Sequence, residues 1–363
     1  MDYANRVLRL CEQLVRQRLR GLVVSHLPNL RYLTGFSGSN ALLWVGPDEV
    51  HLWTDSRYRE QAAAEVVGAR ISIPPRGTLW EALGGYLSRR VVRRAGGGRP
   101  RIAVESDHVT LAEWERLRGA VSGVHGVRLL VEQLRAVKAP EEIAAIRAAV
   151  ELASSVFDTA VAKLRPGIRE TELAGHLEFG LRRAGGEGVA FETLVASGPR
   201  GARVHARAST KPVENKEFVI IDYGVKLAGY MSDMTRTVCV GPPTRPGRER
   251  YRAVLEAQLA GIAAVRPGVA AAQVDRAARR VLQQAGLGDF FVHSTGHGLG
   301  LEVHEAPRLA QRSADRLESG QVMTIEPGIY IPDWGGIRIE DVVVVTEQGA
   351  EVLTPTSKRL RSI

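Results

Sequence analysis

Cysteine is almost absent from this chain of 363 residues: only Cys11 and Cys239 occur. Neither has a metal-type partner nearby in sequence, which excludes a disulfide framework and a thiolate metal site and fits a reducing, cytoplasmic setting. Long hydrophobic runs are also missing. No stretch of 18 apolar residues exists, so no membrane span is expected. The start, Met1-Asp-Tyr-Ala-Asn-Arg, lacks the charged-then-apolar layout of a signal peptide, and residues 4–20 read instead as a charged amphipathic helix. Lysine is scarce, so the net charge of +9 is carried almost wholly by arginine. The excess sits in the first part, densest at Arg89-Arg90-Val-Val-Arg93-Arg94. No groove-reading motif or aromatic platform accompanies it, so it reads as a solvated helix face and no nucleic-acid partner is expected.

The chain is long enough for two domains with proper cores at 44% hydrophobic composition. Residues 1–133 alternate strand-like and helix-like runs. Leu22-Val-Val-Ser, Ala41-Leu-Leu-Trp-Val and Val50-His-Leu-Trp are strand candidates, while Ser56 to Val67 and Thr78 to Val92 carry helical spacing. Ala95 to Pro100 reads as a Gly-rich loop. This part is expected to be a small α/β domain. Gln133 to Pro140 reads as a linker, with a long helix starting at Pro140-Glu-Glu.

Residues 134–363 contain an internal repeat. Leu164-Arg-Pro-Gly-Ile-Arg-Glu-Thr-Glu-Leu resembles Val265-Arg-Pro-Gly-Val-Ala-Ala-Ala-Gln-Val at an offset of 101 residues. Both continue through a helical pattern to Ala184-Gly185 and Ala285-Gly286. Two helix-then-strand halves packed about a pseudo-twofold axis are expected, with a pocket in the groove between them.

Five side chains in this part stand in otherwise apolar or Gly-rich surroundings. Asp222 closes Phe218-Val-Ile-Ile. Asp233 enters the β-branched stretch Met-Thr-Arg-Thr. His297 lies in Ser294-Thr-Gly-His-Gly-Leu-Gly-Leu. Glu326 follows Met323-Thr-Ile and precedes Pro327-Gly328. Glu340 lies in Gly335-Gly-Ile-Arg-Ile-Glu-Asp before Val342-Val-Val-Val. A carboxylate at the end of a buried strand is costly unless a positive group pairs with it. Four carboxylates and one imidazole can hold two divalent metals, with bridging carboxylates neutralising the charge. The alternative is a set of buried ion pairs or caps, but basic partners do not flank most of the five. Two motif readings fail on spacing. Gly296-His-Gly-Leu-Gly300 is not the dinucleotide fingerprint, and His304-Glu305 lacks the zincin's second histidine, Arg308 standing there.

These motifs resemble the pita-bread metallopeptidases, specifically their Xaa-Pro-cleaving branch of aminopeptidase P and Xaa-Pro dipeptidase (prolidase). Asn29-Leu-Arg-Tyr-Leu-Thr-Gly-Phe-Ser-Gly-Ser and Thr54-Asp-Ser-Arg-Tyr-Arg-Glu-Gln-Ala resemble the creatinase-type N-terminal domain of that branch. The resemblance covers nearly the whole chain. It implies an α/β N-terminal domain over 1–133 and an α+β pita-bread domain over 134–363. It implies that Asp222 chelates a first metal, Asp233 and Glu340 bridge, and His297 and Glu326 complete a second. The hard donor set favours Mn²⁺, with Co²⁺ or Zn²⁺ as alternatives.

By the same resemblance Glu326 also shuttles a proton. His205 and His304 face the substrate carbonyl, and His293 lies by the proline pocket. The family often has Pro-His-Gly at the first of these, where this chain has Val204-His205-Ala206. Arg203 and Arg207 nearby bear on substrate preference. Arg338, two residues before Glu340, is placed to orient a carboxylate or grip substrate, with Tyr330 as its partner. His26, His51, His108, His125 and His176 read as core or surface residues. The expected activity is hydrolysis of Xaa-Pro bonds, leaning to aminopeptidase P. Prolidase is the alternative, for which Arg308 would clamp a free carboxylate. Methionine aminopeptidase, creatinase and a non-catalytic peptide-binding module are remoter readings. A homodimer is implied by resemblance only.

Overall fold

Every residue of the strand Gly21–Val24 (β1) is buried, because the strand lies inside a sheet rather than at its edge. A computed structural model of the chain describes residues 1–92 and 100–363. They form two units, Met1–Arg135 and Ala136–Ile363. The first unit runs α1 (Tyr3–Arg16), β1, α2 (Leu27–Thr34), β2 (Ala41–Val45), β3 (Val50–Thr54), α3 (Arg59–Glu65), β4 (Arg70–Ser72), α4 (Leu79–Leu87), β5 (Ile102–Glu105), α5 (Leu111–Ala120), β6 (Val124–Val127) and α6 (Leu130–Ala136). Its six strands form one mixed sheet in the order β4-β3-β2-β1-β5-β6. Val23, Leu42, Trp44, Trp53, Ile102 and Val104 pack there against Trp80, Leu83 and Leu117 of α4 and α5. Both of those helices begin with capping boxes, Thr78 with Glu81 and Thr110 with Glu113.

Some sequence expectations need adjustment. The first helix stops at Arg16, short of residue 20. Arg18 takes a left-handed conformation (φ 56°), and Leu19 N–H bonds back to Leu14 O at 2.8 Å, turning the chain into β1. The helical spacing from Ser56 yields a 3₁₀ turn before α3. The spacing from Thr78 to Val92 splits into α4 and a π-helical turn over Ser88–Val92. Residues 133–136, read as linker, form the last turn of α6. Arg93, Arg94 and most of the Gly-rich loop at 95–100 lie outside the described residues.

The second unit runs α7 (Pro140–Val161), α8 (Glu170–Arg183), β7 (Gly188–Val189), β8 (Leu194–Ser197), β9 (Phe218–Tyr223), β10 (Val225–Leu227), β11 (Tyr230–Met231) and β12 (Met234–Cys239). It continues through α9 (Arg245–Ala264), α10 (Ala271–Gln284), β13 (Gly296–Gly298), β14 (Glu305–Leu309), β15 (Val322–Ile325), β16 (Gly328–Ile331), β17 (Gly335–Arg338), β18 (Asp341–Thr346) and β19 (Gly349–Val352). The repeat has a structural counterpart. Helices α8 and α10 each have 14 residues and stand at the 101-residue offset. Ahead of each, an Arg-Pro-Gly turn puts its glycine at positive φ, 89° at Gly167 and 79° at Gly268. Each glycine then donates its N–H across to the partner segment, to Val213 O at 2.8 Å and to Leu317 O at 2.7 Å.

The first half contributes the antiparallel sheet β8-β9-β12 and the second the sheet β14-β13-β15-β18-β19. Each half packs its own core, Leu173, Leu177 and Leu181 of α8 in one, Val274 of α10 with Met323 and Val343 in the other. This unit is thus α+β and the chain has the two-domain architecture the sequence implied.

Candidate metal centre

Strand alternation decides which side chains of β9 and β12 leave the core. Val219, Ile221 and Tyr223 are buried in the α7–α8 cluster, so Asp222 points to the opposite face. Met234 and Val238 enter the same cluster, which turns Asp233, Thr235 and Thr237 the other way. The register pairs Thr235 with Asp222. Glu340, between β17 and β18, joins them by donating its N–H to Thr235 O at 3.1 Å. His297 sits in the middle of β13 between two obligatory glycines. A Cβ at Gly296 would lie 1.9 Å from Thr324 O, and one at Gly298 2.1 Å from Ala306 O. Glu326 follows β15 and is anchored by its own N–H to Thr295 O at 2.8 Å.

These elements bring the acidic groups and His297 together. Asp233, His297 and Glu340 each offer a ligand atom, and the three atoms lie within 4.8 Å of one another. His297 Nε2 is 3.4 Å from Glu326 Oε1 and 3.7 Å from Asp233 Oδ2. Its Nδ1 lies 3.0 Å from Gly298 O, which can only accept, so Nδ1 carries the hydrogen and Nε2 presents a lone pair to the carboxylates. Burial, with His304 adding to it, lowers the ring to about 4, so it is neutral. Asp222 Oδ2 accepts from Arg338 Nη2 at 2.5 Å, while Asp222 Oδ1 is buried with no hydrogen-bond partner among the described residues. Glu340 Oε2 accepts from Thr235 Oγ1 at 2.7 Å.

Burial raises all four carboxyl groups, and repulsion from neighbouring carboxylates adds to it at Asp233, Glu326 and Glu340. Asp233 and Glu326 are pushed well above the usual range, by burial first and then by Glu340. Glu340 rises to about 7 through burial and Asp222, and Asp222 is raised by burial against the pull of Arg338. A neutral imidazole lone pair aimed at carboxylates that cannot all ionise together is the arrangement a cation resolves. The donor set is oxygen-rich with one oriented imidazole, and it fits a divalent metal. Asp233, His297 and Glu340 form the core of that site.

A cavity of about 630 Å³ opens over this cluster. It is lined by all five of these groups and by His205, His293, His304, Arg308 and Arg338. His205 and His304 are exposed, and the His304 ring lies 4.3 Å from that of His297. Tyr330 lies behind the lining. It accepts from Arg338 Nη1 at 2.7 Å and meets His293 Nε2 at 2.9 Å. His293 Nδ1 is 2.7 Å from Ser294 O and therefore carries the hydrogen, so Tyr330 donates to Nε2. Arg338 also donates to Thr235 Oγ1 at 3.0 Å and to Val204 O at 3.2 Å. The Arg308 guanidinium is exposed and makes no ion pair among the described residues, whereas Arg207 pairs with Glu192 at 2.8 Å on the cavity lining. The remaining histidines lie elsewhere. His51 stacks on Trp53 at 3.7 Å, His26 stacks on His108 at 3.7 Å, and His125 and His176 are exposed.

The sequence reading missed several supporting groups. Thr235 bridges Glu340 and Arg338. Thr324 accepts from His297 N at 3.1 Å and reaches Glu326 at 3.4 Å. Fully buried Asp275 of α10 takes the N–H and hydroxyl of Thr295, and its partner Arg279 donates to Phe291 O and His293 O. Only the polar alternation Asp233-x-Thr235-x-Thr237 carries a signal for any of these.

Residues 144–347 match metallopeptidase family M24, and residues 6–137 match the creatinase/prolidase N-terminal domain. A protein of Pyrococcus furiosus named Xaa-Pro dipeptidase is 45% identical over 231 residues, 64% of this chain and 66% of that protein. The solved structure of an Xaa-Pro dipeptidase from Bacillus anthracis superposes with a TM-score of 0.94 at 35% identity, covering 99% of this chain and 100% of that one. An X-Pro aminopeptidase from Thermotoga maritima does so with a TM-score of 0.88 at 34% identity, covering 99% and 100%.

Proposed function

The chain belongs to metallopeptidase family M24, and from that premise we propose that it is a metal-dependent exopeptidase cleaving the Xaa-Pro bond, acting on dipeptides. The observation that carries the hydrolytic reading is the neutral His297 lone pair facing Asp233 and Glu326 on the cavity wall. Two divalent ions, Mn²⁺ favoured, would be held by Asp222, Asp233 and Glu340 on one side and by Asp233, Glu340, His297 and Glu326 on the other. Such ions supply Lewis acidity and neutralise developing negative charge.

The protein's own groups do the rest. Glu326, raised by burial and by Glu340 when no cation is present, would be ionised once bound cations offset that charge, and as a carboxylate it takes the proton of the attacking water and delivers it to the leaving proline nitrogen. His304 and His205, exposed in the cavity, donate to the carbonyl oxygen as charge builds on it. His293, held neutral and fixed by Tyr330, presents a ring face to the proline. A bond to proline has no N–H, so recognition must come from such shape contacts.

The sequence alone leaned to aminopeptidase P, and we now favour the dipeptidase. Arg308, exposed on the cavity lining and in no ion pair among the described residues, supports that choice, since it can grip the free carboxylate of a dipeptide. The names of the Pyrococcus furiosus and Bacillus anthracis proteins support it as well. The likeness to the Thermotoga maritima structure keeps aminopeptidase activity as the second reading. Hydrolysis of Ala-Pro and Ala-Pro-Ala by Mn²⁺-loaded protein tests it. The expected result is turnover of Ala-Pro alone, with KM raised about tenfold or more in Arg308→Ala. Comparable cleavage of Ala-Pro-Ala, insensitive to Arg308, would assign aminopeptidase P.

A further inference from the structure

The segment from Ser197 to Ser209 carries His205 into the cavity without lying in a strand at that point. Its ends are not free. Glu170, the first residue of α8, is fully buried and accepts five hydrogen bonds. Oε1 takes Ser197 N–H at 2.8 Å and Ser197 Oγ at 2.9 Å. Oε2 takes Ser209 N–H at 3.0 Å, Ser209 Oγ at 2.7 Å and Arg200 Nε at 2.9 Å. One carboxylate therefore closes both ends of the loop. Arg200, held by it, reaches forward to Arg207 O at 2.6 Å, two residues past His205. On the other side Arg338 holds Val204 O, the carbonyl just before His205.

We propose that Glu170 is a positioning residue for His205: by pinning Ser197, Arg200 and Ser209 it sets the height and direction at which the imidazole enters the cavity. A buried carboxylate with five donors is rigid, and five charge-assisted bonds converging on one loop exceed what closing a surface turn needs. The second half of the repeat is built on the same plan. There Asp275 and Arg279 of α10 pin Phe291, His293 and Thr295 of the segment leading to His297. Each half thus fastens its histidine-bearing segment through one buried carboxylate on its second helix.

The catalytic side of this inference rests on the proposed peptidase function, so its test has two independent readouts. The first is limited trypsin digestion of the metal-loaded protein at Arg203 and Arg207, which are exposed in the loop. Glu170→Gln, and the milder Ser209→Ala should Glu170→Gln not fold, are expected to speed cleavage there about tenfold. The second is Ala-Pro hydrolysis by wild type, Glu170→Gln, His205→Ala and the double variant. The expected result is a kcat loss of up to about a hundredfold in Glu170→Gln with KM and metal content little changed, since small misplacements of a reacting group cost that much. In the His205→Ala background the further loss should be slight. Unchanged tryptic cleavage in both loop variants, or losses that multiply in the double variant, would overturn the proposal. If wild type turns over no Xaa-Pro substrate, the peptidase reading fails while the digestion still decides whether Glu170 holds the loop.

Discussion

Arg338 and Asp222 meet at 2.5 Å between Nη2 and Oδ2, and the other oxygen of Asp222 is buried without a partner among the described residues. The guanidinium fixes the carboxylate through Oδ2. The same side chain reaches Tyr330, Thr235 and Val204 O, so it links the first half's strands to the His293 side of the cavity.

Lysine cannot replace that fork, because one ammonium cannot satisfy four acceptors in fixed directions. Arg338→Lys is expected to weaken metal affinity and lower kcat, each by about 10- to 100-fold. Isothermal titration with Mn²⁺ and steady-state kinetics on Ala-Pro check it. Wild-type values in both would show that Arg338 only fills space.

Thr235 donates one hydrogen bond to Glu340 and accepts one from Arg338. Thr235→Val keeps the shape and leaves both partners short of a bond, costing about 1–3 kcal/mol of stability. Thr235→Ser should recover most of it. Chemical denaturation of the three proteins decides, and equal midpoints would remove Thr235 from the account.

The raised carboxyl groups give the metal-free protein a distinctive pH response. Glu340, at about 7, and Asp233 and Glu326, well above their usual range, bind protons more tightly folded than unfolded. Their stabilising contribution is full below the ordinary carboxylate range and is lost as pH rises through 7 and beyond. His293 and His297, both lowered to about 4, oppose this only below about 6.5, where the unfolded chain takes up protons. EDTA-treated protein should therefore lose thermal stability between pH 6.5 and 8, while Mn²⁺-loaded protein should not. Parallel curves with and without metal would contradict the charge balance described for the site.

The five candidate ligands stand out in the sequence for local physical reasons. Asp222, Asp233, Glu326 and Glu340 interrupt runs that are otherwise apolar or β-branched, and such interruptions are costly without a cation or partner. His297 stands out because glycines flank it, and the structure gives those glycines a steric cause at Thr324 and Ala306. Glu170 was not readable. It looks like an acidic residue in a helix's first turn, and its partners Ser197 and Ser209 are 27 and 39 residues away. Asp275 is hidden in the same way on α10. The early end of α1 at Arg16 escaped because the left-handed turn falls on Arg18 rather than on a glycine.

The most direct test of the central claim is hydrolysis of Ala-Pro by EDTA-stripped and Mn²⁺-reloaded protein, with Glu326→Gln brought to the same metal content. No turnover is expected after stripping, with recovery on reloading and a loss of about a thousandfold or more in kcat in Glu326→Gln despite bound metal. Turnover that survives stripping, or that persists at wild-type rate in Glu326→Gln, would contradict that claim.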